Sequence, residues 1–252
     1  MREISLLEML QHGVHFGHQQ SRRHPKMNPY IFTTRGGISV INLEKTKVAL
    51  TQASAYVRDL VAGGGTIVFV GTKKQAREIV QKAALQAAMP YVVDRWIGGL
   101  FTNFGNVREL IKKLHRLKQE RMTGDWTKYT KKEQLDLQEE LDRLEKLVGG
   151  VGTLERLPDA IFVTDLKNDK TAVREATKTK IPIVAICDTN VNPAPVQYAI
   201  PANDDATKSI AFICEVMVEA VQAGRTEQER RLLAQAQAAA EAEAAAVPVP
   251  VE

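Results

Sequence analysis

The sequence predicts an α/β protein: a mostly parallel sheet with helices on both faces, interrupted by an antiparallel helical hairpin. Three observations lead there. Apolar runs of strand length at 66–70, 160–165 and 183–187 alternate with helical patterns, as central parallel strands joined by crossover helices do. Two narrow apolar seams, Val107, Leu110, Leu114, Leu117 and Leu137, Leu141, Leu144, Val148, flank the break Gly124-Asp125-Trp126, the pattern of paired helices. The 252 residues, 44% hydrophobic and 25% charged, suit one large α/β domain with an insertion, or two small domains.

The elements follow in order. Ser5-Leu6-Leu7-Glu8 has capping-box form and opens a short helix that Gly13 stops. The stretch 13–36 has two prolines and no period, so it reads as an extended basic loop. It interleaves Arg22, Arg23 and Lys26 with Phe16, Tyr30 and Phe32, a composition that holds phosphates and stacks on bases. Its neighbourhood is basic: residues 1–47 hold seven Lys/Arg against three acids, within a chain of net charge +4, which points to a polyanion partner. His12, His15, His18 and His24 have no established metal-ligand spacing.

A short strand at 38–41 leads to an amphipathic helix at 44–61 through Val48, Tyr56, Val57 and Leu60, ended by Gly63-Gly64-Gly65. After the strand 66–70 come Gly71-Thr72-Lys73-Lys74 and a helix at 75–88. The loop lacks the Gly-x4-Gly-Lys spacing of a nucleotide P-loop, but a helix N-terminus also suits an RNA phosphate. A strand at 91–93 precedes Arg95-Trp96-Ile97-Gly98-Gly99-Leu100-Phe101-Thr102, whose aromatics are placed to pin the hairpin to the sheet.

The hairpin spans 107–148, with arms of roughly 20–30 Å at 1.5 Å per residue. Thr130-Lys131-Lys132-Glu133 starts its second arm. Residues 107–132 carry nine Lys/Arg against three acids, and 133–148 carry six acids against Arg143 and Lys146. Both arm-to-arm ion pairing on a solvated coiled coil and a basic lever lying on phosphates follow from this asymmetry.

Beyond the hairpin, strands at 160–165, 183–187 and 198–200 alternate with helices at 168–179 and 204–223. In such sheets the loops at the carboxyl ends of strands carry ligand sites. Here they supply Asn42, Gly71-Thr72, Asp165, Asp188-Thr189-Asn190 and Asp204-Asp205, a carboxylate set that with a loop histidine could hold a divalent ion. Each aspartate is equally a good helix cap. Cys187 and Cys214 sit in apolar surroundings and are expected to be buried thiols rather than a disulfide or zinc pair. The opening MREISLLEML has no apolar core for a secretory signal, and no later stretch is long enough to span a membrane, so the expected location is the cytoplasm. The tail 225–252, rich in Ala, Gln and Glu and ending Val-Pro-Val-Pro-Val-Glu, is expected to be part helical and part disordered.

Several blocks carry a family resemblance: Gly13-Val14-His15-Phe16-Gly17-His18, Pro25-Lys26-Met27-Asn28-Pro29-Tyr30-Ile31-Phe32, Phe69-Val70-Gly71-Thr72-Lys73-Lys74-Gln75-Ala76 and Arg95-Trp96-Ile97-Gly98-Gly99-Leu100-Phe101-Thr102-Asn103. Later come Leu157-Pro158-Asp159-Ala160, Ile181-Pro182-Ile183-Val184-Ala185-Ile186 with Asp188-Thr189-Asn190, and Ile200-Pro201 with Asn203-Asp204-Asp205-Ala206. In order and spacing they resemble the bacterial-type small-subunit ribosomal protein two family, over roughly residues 5–224. Asn192 stands where an acid is common in that family, Ala202 where glycine is, and Arg23-His24 replaces an aromatic-polar pair.

The resemblance implies a flavodoxin-like domain, residues 1–106 with 149–224, and a coiled-coil hairpin at 107–148. It implies a ribosome-bound, non-enzymatic part of the small subunit, at the junction of head and body. The expected partners are small-subunit ribosomal RNA and other small-subunit proteins, protein one among them; a membrane, a small-molecule substrate and a second copy of the chain are not expected. Charge and placement then single out Arg22, Arg23, Lys26, Arg35, Lys73, Lys74, Arg95, Arg108, Lys112, Lys113 and Arg116 as RNA contacts. No cofactor is required. His18, Asp188, Asp204 and Asp205 are the candidate ligands of a structural magnesium or zinc ion. The alternative is a nucleotide- or phosphosugar-binding α/β protein using Gly71–Lys74 and Asp188, which lacks a full fingerprint, a nucleophile–base pair and a metal triad.

Overall fold

The computed structural model describes residues 4–245. Five strands form the predicted parallel sheet: β4 Ile67–Val70, β5 Tyr91–Val92, β6 Ala160–Val163, β7 Ile183–Cys187 and β8 Tyr198–Pro201. Their order is β5-β4-β6-β7-β8, with every pairing parallel. Counted along the chain, this is the 2-1-3-4-5 order of a doubly wound sheet.

Alternation along the strands divides the core in two. Ile67, Phe69, Phe162, Val184 and Ile186 face α2 (Leu43–Ala62), α3 (Arg77–Gln86) and the start of α7 (Thr207–Ala245). Val68, Val70, Ile161, Val163 and Ala185 face α6 (Lys170–Lys178) and the root of the hairpin. With both faces covered, the strands read as unbroken apolar runs, which is why the sequence exposed them.

Some expectations shift. The stretch 13–36 is not one extended loop. β1 Phe16–Gln19, β2 Ile31–Arg35 and β3 Ile38–Ile41 form an antiparallel sheet in the order β1-β3-β2, with tight 3-10 turns at Gln20–Arg22 and Pro25–Tyr30. Gly36 and Gly37, at φ +57° and +76°, make the two-residue turn between β2 and β3, a turn that demands positive φ at both positions. Ser5 makes no side-chain cap to α1 (Leu6–Gln11). The buried stripe of α2 is Thr46, Leu50, Ala53, Ser54, Val57 and Val61, while Val48 is exposed. The last helix begins at Thr207 and runs unbroken to Ala245, through most of the predicted tail; the disorder expected at the tail's end falls on 246–252, outside the described residues. Cys187 and Cys214 are free and buried, and burial pushes the Cys214 thiol up to about 12. Among the described residues no helix is long and apolar enough to cross a membrane.

Between β5 and β6 lie two helices packed on each other, α4 Phe104–Met122 and α5 Lys131–Val148. Val107, Ile111, Leu114 and Leu117 on α4 are buried with Leu141, Leu144 and Val148 on α5, and Trp126 closes the far end. Leu110 and Leu137, assigned to the seams, lie at their half-buried edges, and Ile111 joins instead. The Thr130–Glu133 capping box forms as the sequence predicts. Arm-to-arm pairing is present in Lys113–Glu140 at 2.8 Å and Lys118–Glu145 at 2.5 Å.

Two contacts fasten the hairpin root. Glu175 on α6 is buried, and its carboxylate accepts from the Trp96 indole N–H (3.2 Å) and from the backbone N–H of Gly99 (2.7 Å), Phe101 (3.0 Å) and Thr102 (3.3 Å). Trp96 and Phe101 meet edge to face at 4.9 Å within the same core. On the returning chain, Gly150 lies against edge strand β5, where an added Cβ would fall on the Tyr91 carbonyl oxygen and 2.8 Å from its ring. Gly150→Ala should therefore cost about 1–3 kcal/mol as an overpacking change, read as a lower urea midpoint at unchanged slope. A loss under about 0.5 kcal/mol, the scale of an unconstrained surface change, would mean the segment can step away from β5.

Candidate nucleic-acid interface and cation site

Parallel strands deliver the ends of β4, β6, β7 and β8 to one edge of the sheet, and the loops there assemble a charged cluster. Lys73, just after β4, sends its ammonium between Asp205 Oδ1 (2.6 Å), Asp204 Oδ1 (2.9 Å) and Asp165 Oδ2 (3.2 Å). His18, on β1, sits between Asp188 Oδ2 (3.1 Å from Nδ1) and Asp205 Oδ2 (3.3 Å from Nε2). Its backbone N–H donates to Thr189 Oγ1 at 2.8 Å. Close approach here requires Gly17, where an added Cβ would lie 2.6 Å from Thr189 Cγ2. The small sheet is thus tied to the large one through this cluster.

The electrostatics follow from four carboxylates facing one ammonium and one imidazole. Burial pushes the Asp204 carboxyl up to about 7, helped by Asp165 and Asp188 and opposed by Lys73. For Lys73, burial works against the ammonium, but the bonds to Asp205 and Asp204 and the charges of Asp204 and Asp165 outweigh it and hold it above the usual lysine range. The hydrogen bond to Asp188 outweighs burial at His18 and raises its pKa. Next door, burial pushes Asp169 up to about 6 against the bonds it receives from Thr72.

The predicted cation ligands His18, Asp188, Asp204 and Asp205 come together, with ligand atoms all within 4.8 Å of one another. One imidazole nitrogen with carboxylate oxygens suits zinc, and the oxygens suit magnesium. Asp165 and Asp188 add like-charge repulsion to the burial that raises Asp204, and a divalent ion relieves such repulsion.

The predicted RNA contacts divide. Lys73 stands apart: its side chain is 17% exposed and its ammonium is shared among three carboxylates. Arg22, Lys26, Arg35, Lys74, Arg95 and Arg108 are exposed and Arg23 half-buried. Among the described residues these seven form no ion pair. Lys112, Lys113 and Arg116 pair with Glu109 (2.7 Å), Glu140 (2.8 Å) and Glu120 (3.7 Å), contacts that are weak at this exposure.

A match to the model of the family described as Ribosomal protein S2 covers residues 9–224. The chain belongs to the ribosomal protein S2 family. It is 44% identical over 228 residues to small ribosomal subunit protein uS2 of Roseiflexus sp. (strain RS-1), spanning 90% of this chain and 87% of that one. With uS2 of Dehalococcoides mccartyi (strain CBDB1) the identity is 46% over 221 residues, 88% of this chain and 90% of the relative. With uS2 of Bdellovibrio bacteriovorus it is 43% over 232 residues, 92% and 74%.

S2 proteins are structural and not enzymatic, which removes the nucleotide-enzyme alternative, and the inward turn of Lys73 gives the physical counterpart at its loop. Sequence reasoning placed Asp165 among the strand-end carboxylates but left it out of the cation ligands, and it joins the cluster through Lys73. One further residue beside the cluster was not singled out at all. Asp169 fixes Thr72, accepting from its Oγ1 at 2.6 Å and its N–H at 3.3 Å, and no local pattern signals that bond.

Proposed function

We propose that this S2-family chain is a ribosome-bound structural constituent of the small ribosomal subunit, acting in translation in the cytoplasm. It binds ribosomal RNA and neighbouring proteins at the head–body junction and helps seat small-subunit protein one. The carrying observation is the family match across 216 of the 252 residues, from 9 to 224. Exposed cations without ion pairs on a rigid α/β platform support RNA binding through phosphates, contacts that position rather than read sequence. The α4–α5 pair then serves as a coiled-coil arm whose bearing the root contacts hold.

The test is sedimentation of the tagged chain from lysate through a sucrose gradient, with and without ribonuclease. Near-stoichiometric migration with small subunits, lost on RNA digestion, is the expected result. A chain that stays at the top of the gradient in gentle salt sinks the reading.

His18, Asp188, Asp204 and Asp205 are proposed to hold a structural zinc or magnesium ion that joins the two sheets. Adding either ion to chelator-treated protein should raise its Tm, equivalent to about 2.7 kcal/mol at a hundredfold excess over Kd, and His18→Ala should abolish the rise. No shift with either ion leaves His18 as an ion-pairing group alone.

A further inference from the structure

A strip of cations runs along the carboxyl end of the large sheet, outside the buried cluster. Its backbone is a chain of hydrogen bonds between loops distant in sequence. Asn168 Nδ2 donates to Thr72 Oγ1 (2.6 Å), which donates to the buried Asp169. The Thr72 carbonyl accepts from Arg77 Nε (3.0 Å), and Arg77 Nη2 donates to the Asp94 carbonyl (3.2 Å). Along this linkage stand Lys167, Lys170, Lys74, Arg77 and Arg95, all exposed. Arg77 pairs with Asp94 at 3.5 Å. Lys74, Arg95, Lys167 and Lys170 form no ion pair among the described residues. Glu78, Asp94 and Asp205 are exposed acids near the strip, and Asp205 is held by Lys73 at 2.6 Å.

We infer that this strip is a second RNA-phosphate contact of the chain, with Lys74, Lys167 and Lys170 as its contacts. The inference deepens the RNA-binding reading and rests on it. Two properties favour a polyanion backbone here. Unpaired exposed ammonium groups gain most from phosphates, because only counterions are displaced. The loops that carry them are already fixed to one another, so little ordering entropy opposes binding. Lys167 and Lys170 fall outside the blocks that drew attention in the sequence, and it is the bonds through Thr72 that bring them beside Lys74.

The test measures rebinding of the full chain to small subunits stripped of it, across a salt series. The variants are Lys74→Gln/Lys167→Gln/Lys170→Gln and, separately, Arg22→Gln/Lys26→Gln in the basic stretch. Each phosphate contact contributes roughly 0.7–0.9 to the slope of log affinity against log salt. The triple variant should flatten that slope by about 2–3. An unchanged slope in the triple variant, with a flatter one in the double variant, overturns the strip and leaves the RNA reading standing. A wild-type slope near zero overturns both. As a check independent of variant folding, an iron chelate on Lys170→Cys should cut ribosomal RNA by hydroxyl radicals, and one on Leu85→Cys, exposed on α3, should not. Both native cysteines are buried and do not compete for the label. Absence of cuts from position 170 also overturns the strip.

Discussion

Glu175→Ala should lower the unfolding free energy by about 3–5 kcal/mol, the scale of breaking a buried charged network from one side. The reason is the number of donors that lose their acceptor together. The Trp96 indole and the amides of Gly99, Phe101 and Thr102 all point at this one carboxylate. Removing it leaves the buried Trp96 and Phe101 donors with nothing to accept them, at about 1–3 kcal/mol for each group that water cannot reach. Glu175→Gln keeps two acceptor lone pairs on one oxygen and should lose roughly half as much. The pH dependence has a definite sign. Burial alone would raise the carboxyl, but the donated hydrogen bonds outweigh it and hold it below its ordinary value. A group depressed in the folded state contributes stability that is fully present above its unfolded pKa and is lost as pH falls through the folded one. The wild-type advantage over Glu175→Gln should therefore shrink on acidification below the ordinary glutamate range, measured by urea unfolding at successive pH values. A cost under about 1 kcal/mol for Glu175→Ala would mean the Gly99–Thr102 backbone finds other partners.

Lys73→Met should cost about 3–5 kcal/mol as well, for the opposite reason: it strips the counter-charge from a carboxylate group and leaves the acids facing one another. Asp165, Asp204 and Asp205 each lie within 3.2 Å of the ammonium, and methionine keeps the length of the stem without the charge. Thermal unfolding of the two proteins side by side measures it. A change under about 1 kcal/mol would show that another cation already balances these carboxylates, which would speak for a bound divalent ion.

The parts of this molecule that were legible in the sequence are those written in local periodicity. Ile67–Val70, Ala160–Val163 and Ile183–Cys187 announced a central sheet because both of their faces are covered. The hairpin announced itself through Leu114, Leu117, Leu141 and Leu144. The meeting of Asp188, Asp204 and Asp205 was legible because parallel strands bring their carboxyl ends to one edge. The N-terminal sheet was hidden because strands of four or five residues carry little period, although Gly36-Gly37 between β2 and β3 was a usable turn signal. Lys73 looked like a phosphate ligand because its neighbours in sequence are basic, while its neighbours in space are aspartates more than ninety residues away. Glu175 was silent for the same reason: its partners lie more than seventy residues away and are mostly backbone amides, which leave no mark in a sequence.

The last helix has a practical consequence. It starts at Thr207 beside the cluster and reaches the opposite end of the sheet by Gly224, where an added Cβ would strike the Arg58 carbonyl oxygen at 2.5 Å. Arg225 then donates to the carbonyl of Ala88 (2.8 Å), just ahead of β5. The helix continues to Ala245, a further run of roughly 30 Å at 1.5 Å per residue. A fluorophore joined at the end of this helix is therefore carried off on a built-in spacer, away from the edge where Lys74, Lys167 and Lys170 stand. Labelled there, the chain keeps its reporter clear of that edge.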